Sequence, residues 1–366
     1  MIKKFANVYS VVKNCDSVPL HAFLNNDQYS FVIDSIKVGS TEKVYINDLQ
    51  DYKIKSDTLL FKVDHQAKKY TFQDWCSSRK QRDEGLAAML SEFRDNKIWP
   101  CLQRNYRNLP QLFVSVVAIK WRNELYPIYG SSVEKDGIFC STERASCIPF
   151  GFRTFGVHIN GYVSIPSFNN SSKFIRTDNS ILFNGDKGYA KSEGKLNIPP
   201  GNTLKMWVAR RSKTKEMYPS MLDQIVAGGV SAGEDPSVTV IRECEEEAGI
   251  PELISKRSVP RGSVQYLTTS PNTTATYQPE TQYVYDLELP LDFVPVPTDG
   301  EVESFFLIDM HEVYDLLLMG QFKPNCALVI IDFFIRHGYL TPENEKDYLQ
   351  IIDSLHRSIP YPGPSR

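Results

Sequence analysis

Nothing in the sequence approaches the run of about 18 apolar residues that a membrane-spanning helix needs, so no spanning helix is expected. No CxxC pair occurs. The seven cysteines, Cys15, Cys76, Cys101, Cys140, Cys147, Cys244 and Cys326, are scattered and odd in number, which suggests neither a disulfide framework nor a zinc site. A strong charge of either sign is also missing. The formal net charge is −3 with no long basic run, which argues against nucleic acid as a partner. The N-terminal stretch MIKKFANVYSVVKNCDSV has no continuous apolar core and no small-residue cleavage site, so it does not read as a secretion signal. A reducing setting, cytosol or nucleus, is expected, and the glycosylation-type matches at Asn169, Asn170 and Asn272 then mean nothing. What remains is ordinary for a globular chain, 42% hydrophobic and 23% charged, and 366 residues suit two domains.

The informative stretch is GGVSAGEDPSVTVIRECEEEAGI, residues 228–250. Asp235 can cap a helix start, Pro236 suits its first position and Gly249 the position just past its end. At helical spacing Glu243, Glu246 and Glu247 share one face while Glu245 points away. Val238 and Ile241, with Cys244 and Ala248, supply an apolar side. Two carboxylates about 4 Å apart cost about 4 kcal/mol at an effective dielectric near 20. The negative end of the helix dipole adds to that cost. A hard divalent cation relieves it, and Mg²⁺ favours carboxylate together with phosphate oxygens. A solvated acidic face would explain three glutamates alone. It does not explain Gly228, Glu234, Arg242 and Gly249 at fixed offsets. Seven such positions at about 6% each match by chance on the order of once in 10⁸ starts or more rarely.

Along the chain, residues 16–25 read as a helix and turn, and 29–38 and 58–62 as strands. Residues 70–95 read as a helix pair, with Leu86, Met89, Leu90 and Phe93 marking 83–93 as its better half. Strands are expected at 112–119, 121–129, 155–163, 205–211, 263–269, 282–289 and 302–308. Residues 164–202, rich in Ser, Asn, Gly and Lys, read as a long insertion. Helices are expected at 310–319, 325–337 and 343–356, followed by a frayed tail from Tyr361. Strands, the acidic helix, strands and then helices fit a mixed sheet between helices. Gly228 and Gly229 before the helix allow close backbone approach to a ligand. Hard-metal carboxylates beside such a loop suit chemistry on a diphosphate.

The stretch 228–250 resembles the Nudix box and matches it at every fixed position. Cys244, where an aliphatic residue is usual, packs as a small hydrophobe. The resemblance implies a Nudix hydrolase in which Glu246 and Glu247 are the principal Mg²⁺ ligands (Mn²⁺ being the alternative ion), with Glu243 as ligand or general base. The backbone carbonyl of Gly229 joins them, and Arg242 and Glu234 hold the loop–helix junction by ion pairing. A further carboxylate from the later half often completes such sites, with Glu301 first and Glu303 second as candidates. The implied reaction cleaves an X–O–P–O–P linkage in a small-molecule diphosphate substrate.

A wider resemblance covers WRNELYPIYG, ERASCIPFGFRTFGVHINGY, MWVARRSKTKEMYPSMLDQIVAGG and FKPNCALVIIDFFIRHG. These look like the Nudix proteins related to the N-terminal part of fungal thiamine pyrophosphokinases. The resemblance implies an α+β chain: an N-terminal α+β domain (1–150), a Nudix α/β/α sandwich with a mixed sheet (151–350), and a helix end and tail (351–366). It also implies hydrolysis of thiamine diphosphate and of damaged oxo- and oxythiamine diphosphates to monophosphates. Kinase activity is not implied, because too little of this chain follows residue 350.

Substrate selection falls outside the box. Arg210, Arg211 and Lys213 can meet phosphate or lie on the surface. Trp121, Tyr126, His158, Asn160 and Trp207 can frame a ring or belong to the core. Met221, Asp223, Lys323 and Asn325 are further candidates. A nucleotide-cleaving Nudix pyrophosphatase and a non-catalytic Nudix-fold binding module are the alternatives. Isomerase chemistry on isopentenyl diphosphate needs a cysteine in its own local motif, which Cys140, Cys147 and Cys326 lack.

Overall fold

The computed structural model of the protein describes residues 4–24, 27–54, 57–102, 121–130, 136–166, 196–201, 203–269 and 277–364. Its main body is a seven-stranded mixed sheet built around β9 (Thr154–Ile165), a twelve-residue strand buried without a break from Phe155 to Gly161. Its first half pairs antiparallel with β12 (Val226–Gly229) and its second half with β10 (Thr203–Arg211). On its other edge β9 runs parallel to β14 (Tyr277–Glu288), which pairs antiparallel with β13 (Val259–Thr269). The sheet is completed beyond β10 by β11 (Leu222–Gln224) and β15 (Val302–Asp309).

Alternation along β9 and β10 sends side chains to two separate cores. Val157, Ile159 and Trp207 face the acidic helix (Pro236–Ala248), which meets them with Val240, Cys244 and Ala248. Met206 and Val208 face the opposite layer, where the helices Met310–Leu318, Pro324–Arg336 and Tyr348–Leu355 pack. In the middle helix residues 326–334 are all buried. Full burial of each Leu, Ile or Phe there contributes about 1.5–3 kcal/mol. The amino-terminal helix Val8–Cys15 joins this same layer through Val8, Val11 and Val12. The architecture is helix, mixed sheet, helix.

The preceding region has its own aromatic core of Phe31, Phe61, Tyr70, Trp99, Phe150 and Phe152. A four-stranded sheet of β1 (Tyr29–Ile33), β2 (Ile36–Thr41), β5 (Phe61–Asp64) and β6 (Lys69–Phe72) carries part of it, with β3 (Lys53–Ile54) paired to β4 (Thr58–Leu59) nearby. The helix Arg79–Asp95 covers it, opened by a reciprocal Ser78–Gln81 capping box. A hairpin of β7 (Leu125–Tyr129) and β8 (Ile138–Glu143) extends from it toward the large sheet.

Several sequence expectations change. Residues 29–38 are not one strand. Asp34 and Ser35 take positive φ and turn the chain into the β1–β2 hairpin. The reading 58–62 splits at Leu60 into β4 and β5. The helix pair at 70–95 is one strand and one helix, since Lys69–Phe72 alternates exposed and buried before Ser78 caps. Of 121–129 only Leu125–Tyr129 is strand. The first helix precedes residue 16, and the second is shorter than 16–25, covering Leu20–Leu24. Tyr361 is not frayed. It is buried, its hydroxyl lies 2.6 Å from Ser40 Oγ, and its carbonyl accepts from Arg153 at 2.8 Å. The expected strand at 112–119 and most of the 164–202 insertion lie outside the described residues.

Candidate active site

The acidic helix starts at Pro236 after extended Asp235 and ends at Gly249, whose φ of 61° is the left-handed conformation glycine adopts without strain. The amides of Gly249 and Ile250 return to the carbonyls of Glu245 and Cys244, closing the helix end. Its buried side is Thr239, Val240, Cys244 and Ala248. Val238, expected there, is half exposed, because the helix rotates the 240/244/248 stripe onto the sheet. Arg242 grips Glu234 with Nε and Nη2 at 3.0 and 3.1 Å, and its Nη1 donates to Glu243 and Glu246, each at 2.9 Å. This fork ties the loop to the helix. Burial opposes ionisation of Glu234, but the Arg242 hydrogen bonds outweigh it and hold the carboxyl below its usual range.

Glu247 reaches β12, where its carboxylate accepts the Ala227 N–H at 3.0 Å. Carboxylate oxygens of Glu247, Asp299 and Glu301 lie within 4.8 Å of one another. The loop bringing Asp299 is pinned to the helix end: Val296 N–H donates to the Ala248 carbonyl at 3.0 Å, and the Thr298 hydroxyl to that of Glu246. Burial pushes the Glu247 carboxyl well above its ordinary range, and Glu243, Asp223 and Glu301 push the same way. Burial also raises Glu243, against the pull of Arg242. Burial alone would raise Glu301 as well, but its ion pair with Lys215 brings it below the usual range.

These groups open onto a cavity of about 910 Å³. That is within the range of about 300–1,000 Å³ typical of small-molecule sites. The β7–β8 hairpin forms one wall. A Cβ built at Gly229 would sit 1.9 Å from Tyr126 Oη, and one at Gly228 2.2 Å from the Glu243 carboxyl. Only glycines let the hairpin and the glutamate close on this loop. Glu124 binds Arg144 at 2.8 Å and accepts from Ser231 Oγ at 3.3 Å, and Ala232 N–H donates to the Leu125 carbonyl at 2.8 Å. Arg122, Arg144, Arg211, Lys215 and Lys323, with Arg242 of the box, give the cavity wall its positive charges.

A protein-family model, the NUDIX domain, matches residues 199–326. An uncharacterised protein of Saccharomyces cerevisiae is 33% identical over 344 residues, covering 91% of this chain and 84% of the yeast protein. Nudix hydrolase 20, chloroplastic, of Arabidopsis thaliana is 38% identical over 235 residues, 64% of this chain and 52% of that protein. Nudix hydrolase 24, chloroplastic, from the same plant is 35% identical over 224 residues, 61% of this chain and 50% of that protein. The chain carries a Nudix domain and is homologous to Nudix hydrolases. It spans about half the length of the two plant relatives. Among solved structures, a Nudix hydrolase from M. smegmatis, RenU, aligns over 52% of this chain and 89% of that one, at 13% identity and a TM-score of 0.32.

The Nudix cavity gathers Gly228, Gly229, Glu234, Arg242, Glu243, Glu246, Glu247, Glu301, Arg211, Tyr126, His158, Lys323 and Asn325 from the sequence candidates. Gly249 stays at the helix end. The other expected substrate contacts, Trp121 and Met221 among them, do not line the cavity. Trp207 is enclosed in the core. Asn160 is buried and donates to Asp286 at 3.1 Å. Arg210 donates to the Ser220 carbonyl and lies over the Phe306 ring. Asp223 stands behind the wall, 2.7 Å from Arg211 and 4.0 Å from Lys323, with Cys326 Sγ at 2.6 Å. Burial works against its charge, but Lys323 and Arg211 hold the Asp223 carboxyl well below the usual range. Glu303 and Lys213 pair with each other at 3.1 Å, away from the cavity. Burial, reinforced by Lys323, pulls His158 down to about 4, so it is neutral at physiological pH.

Sequence reasoning missed Asp299, Lys215, Glu124, Arg144 and Glu280, all of which line the cavity. Asp299 stands two residues before Glu301, and treating that pair as a unit would have found it. Glu124 and Arg144 bear no fixed spacing to the box, so only the tertiary fold brings them in.

Proposed function

We propose that this Nudix hydrolase cleaves the diphosphate of thiamine diphosphate and of its damaged forms, oxo- and oxythiamine diphosphate, to the monophosphate, with Mg²⁺ as cofactor. The observation that carries the hydrolytic part is the triad of Glu247, Asp299 and Glu301 within 4.8 Å, faced by Glu243 and Glu246 on the same cavity. Nudix hydrolases generally use divalent ions such as Mg²⁺, and a donor set made only of carboxylate oxygens suits that ion. Glu246 and Glu247, with Glu301, Asp299 and the Gly229 carbonyl, are the groups that would hold it. When bound, it supplies neutralisation of the phosphate oxygens and polarisation of the attacked phosphorus.

The chain's own residues do the rest. Arg144 and Lys215 give positive charge to the wall that receives the diphosphate. Glu243, partly buried and raised, accepts the proton of the attacking water, whose oxygen bonds to phosphorus as the bridging P–O bond breaks. The bridging oxygen leaves with the monophosphate. Arg242 keeps Glu243 and Glu246 oriented. The thiamine assignment draws its support from the four stretches that resemble the thiamine-linked Nudix proteins, one of which, at 121–130, forms the cavity wall around Glu124 and Tyr126.

The test is product analysis with Mg²⁺ on thiamine diphosphate, oxothiamine diphosphate, NADH, ADP-ribose and isopentenyl diphosphate, each alone. Preferential conversion of the thiamine compounds to monophosphates supports the assignment. Turnover of a nucleotide with thiamine compounds untouched keeps the hydrolase and removes the substrate.

A further inference from the structure

The cavity extends past the carboxylates of the box to an end that the hydrolytic chemistry leaves unused. There Glu280, on β14, receives the Tyr266 hydroxyl at 2.7 Å and the Gln282 amide at 3.0 Å, both on Oε2. Among the described residues no hydrogen bond reaches its Oε1. Lys323 lines the same cavity, and its Nζ stands 4.0 Å from Asp223, beyond hydrogen-bonding reach. Among the described residues its ammonium donates no hydrogen bond. Tyr126, Tyr218 and Tyr266 line the same cavity, so one carboxylate, one ammonium and three phenol rings open onto one space. Tyr266 and Gln282 fix the carboxylate in place. Partly buried groups with unspent bonds favour a ligand that completes them.

We propose that this end selects the organic half of the substrate as a planar nitrogen heterocycle, whose edge gives an N–H to Glu280 Oε1 and takes a hydrogen bond from Lys323 among the three tyrosines. The inference rests on the hydrolase reading above and narrows its substrate class. An alkyl diphosphate would desolvate Glu280 Oε1 and the Lys323 ammonium without giving either a hydrogen bond, a disadvantage of about 10- to 100-fold.

The experiment measures kcat and KM with Mg²⁺ for thiamine diphosphate and ADP-ribose, which carry a heterocycle, and for isopentenyl diphosphate, which carries none. Wild type is compared with Glu280→Gln and Lys323→Gln, and each variant's melting temperature is checked. The expected result is a tenfold or larger rise in KM for the heterocyclic compound that wild type prefers. Its kcat should stay within about threefold, and the preference over isopentenyl diphosphate should collapse. Should Glu280→Gln not fold, Glu280→Asp is read in its place and is expected to show a smaller loss in the same direction. Equal use of heterocyclic and alkyl diphosphates by wild type, or a preference that Glu280→Gln does not move, overturns the inference and leaves the hydrolase intact. A Glu280-dependent preference for ADP-ribose with no thiamine turnover sustains the inference and sinks the thiamine assignment. If wild type turns over nothing, calorimetric binding of thiamine diphosphate decides: tenfold weaker binding by Glu280→Gln supports the inference, and equal binding refutes it.

Discussion

Among the described residues two clusters each bring three groups of metal-ligating type within 4.8 Å, and their surroundings differ sharply. Glu247, Asp299 and Glu301 put three carboxylates together with one direct ion pair among the described residues, Glu301 to Lys215. His158, Asp223 and Cys326 put one carboxylate against the guanidinium of Arg211 and the ammonium of Lys323, with the imidazole held neutral and the thiol driven up by burial and by Asp223. The first cluster has negative charge left over for a cation. The second already holds more cation than anion, so it braces Arg211 and Lys323. Donor type and distance do not separate the two; the count of neighbouring charges does.

The largest expected effect breaks the first cluster. Glu247→Gln should lower kcat by on the order of 10³-fold. Gln can still accept the Ala227 N–H, so the fold is kept. The sign for stability is opposite. A carboxyl raised by burial costs the native state free energy once pH exceeds its ordinary value, so in the absence of divalent ions Glu247→Gln should melt higher than wild type at neutral pH, and the gap should close as pH falls below about 4. Calorimetric melts across pH check both statements.

Next comes the brace. Asp223→Asn leaves Arg211 and Lys323 without their buried counter-charge and should destabilise by about 3–5 kcal/mol in denaturant unfolding. Because the folded carboxyl is depressed, its contribution is fully present above the ordinary Asp value of about 3.9 and is lost only as pH falls through the lower folded value. The difference from wild type should therefore persist at pH 5 and shrink only under strong acid.

A smaller effect tests the wall supplied by the hairpin. Gly229→Ala places a Cβ 1.9 Å from Tyr126 Oη and should cost about 1–3 kcal/mol, with KM raised. Tyr126→Phe, combined with it, should restore part of the stability. An effect of similar size concerns the tail: deleting residues 361–366 removes the buried Tyr361 and its bonds to Ser40 and Arg153, with an expected loss of about 1–3 kcal/mol and KM unchanged.

The sequence made one end of the site legible because the box encodes it locally. Asp235, Pro236 and Gly249 bound the helix, and the spacing of Glu243, Glu246 and Glu247 is a property of one turn. The later strands and helices were legible for the same reason, through their hydrophobic period. Residues 29–38 failed at the Asp34–Ser35 turn, which carries no glycine to announce positive φ. Tyr361 failed because its burial depends on a partner more than 300 residues away, and nothing in a short polar tail shows that. Glu124, Arg144 and Glu280 reach the cavity through sheet pairing and hairpin docking, contacts with no sequence period. Trp207 and Asn160 were drawn toward the ligand by their chemistry, but alternation along β9 and β10 turns them into the interior.

The most direct measurement is Mn²⁺ binding, read by electron paramagnetic resonance, for wild type, Glu247→Gln and Cys326→Ser, with Mg²⁺ as competitor. The charge count predicts binding by wild type that Mg²⁺ displaces, at least tenfold weaker binding by Glu247→Gln, and wild-type affinity in Cys326→Ser. Wild-type affinity in Glu247→Gln, or loss of binding in Cys326→Ser, would contradict it and move the metal to the other cluster.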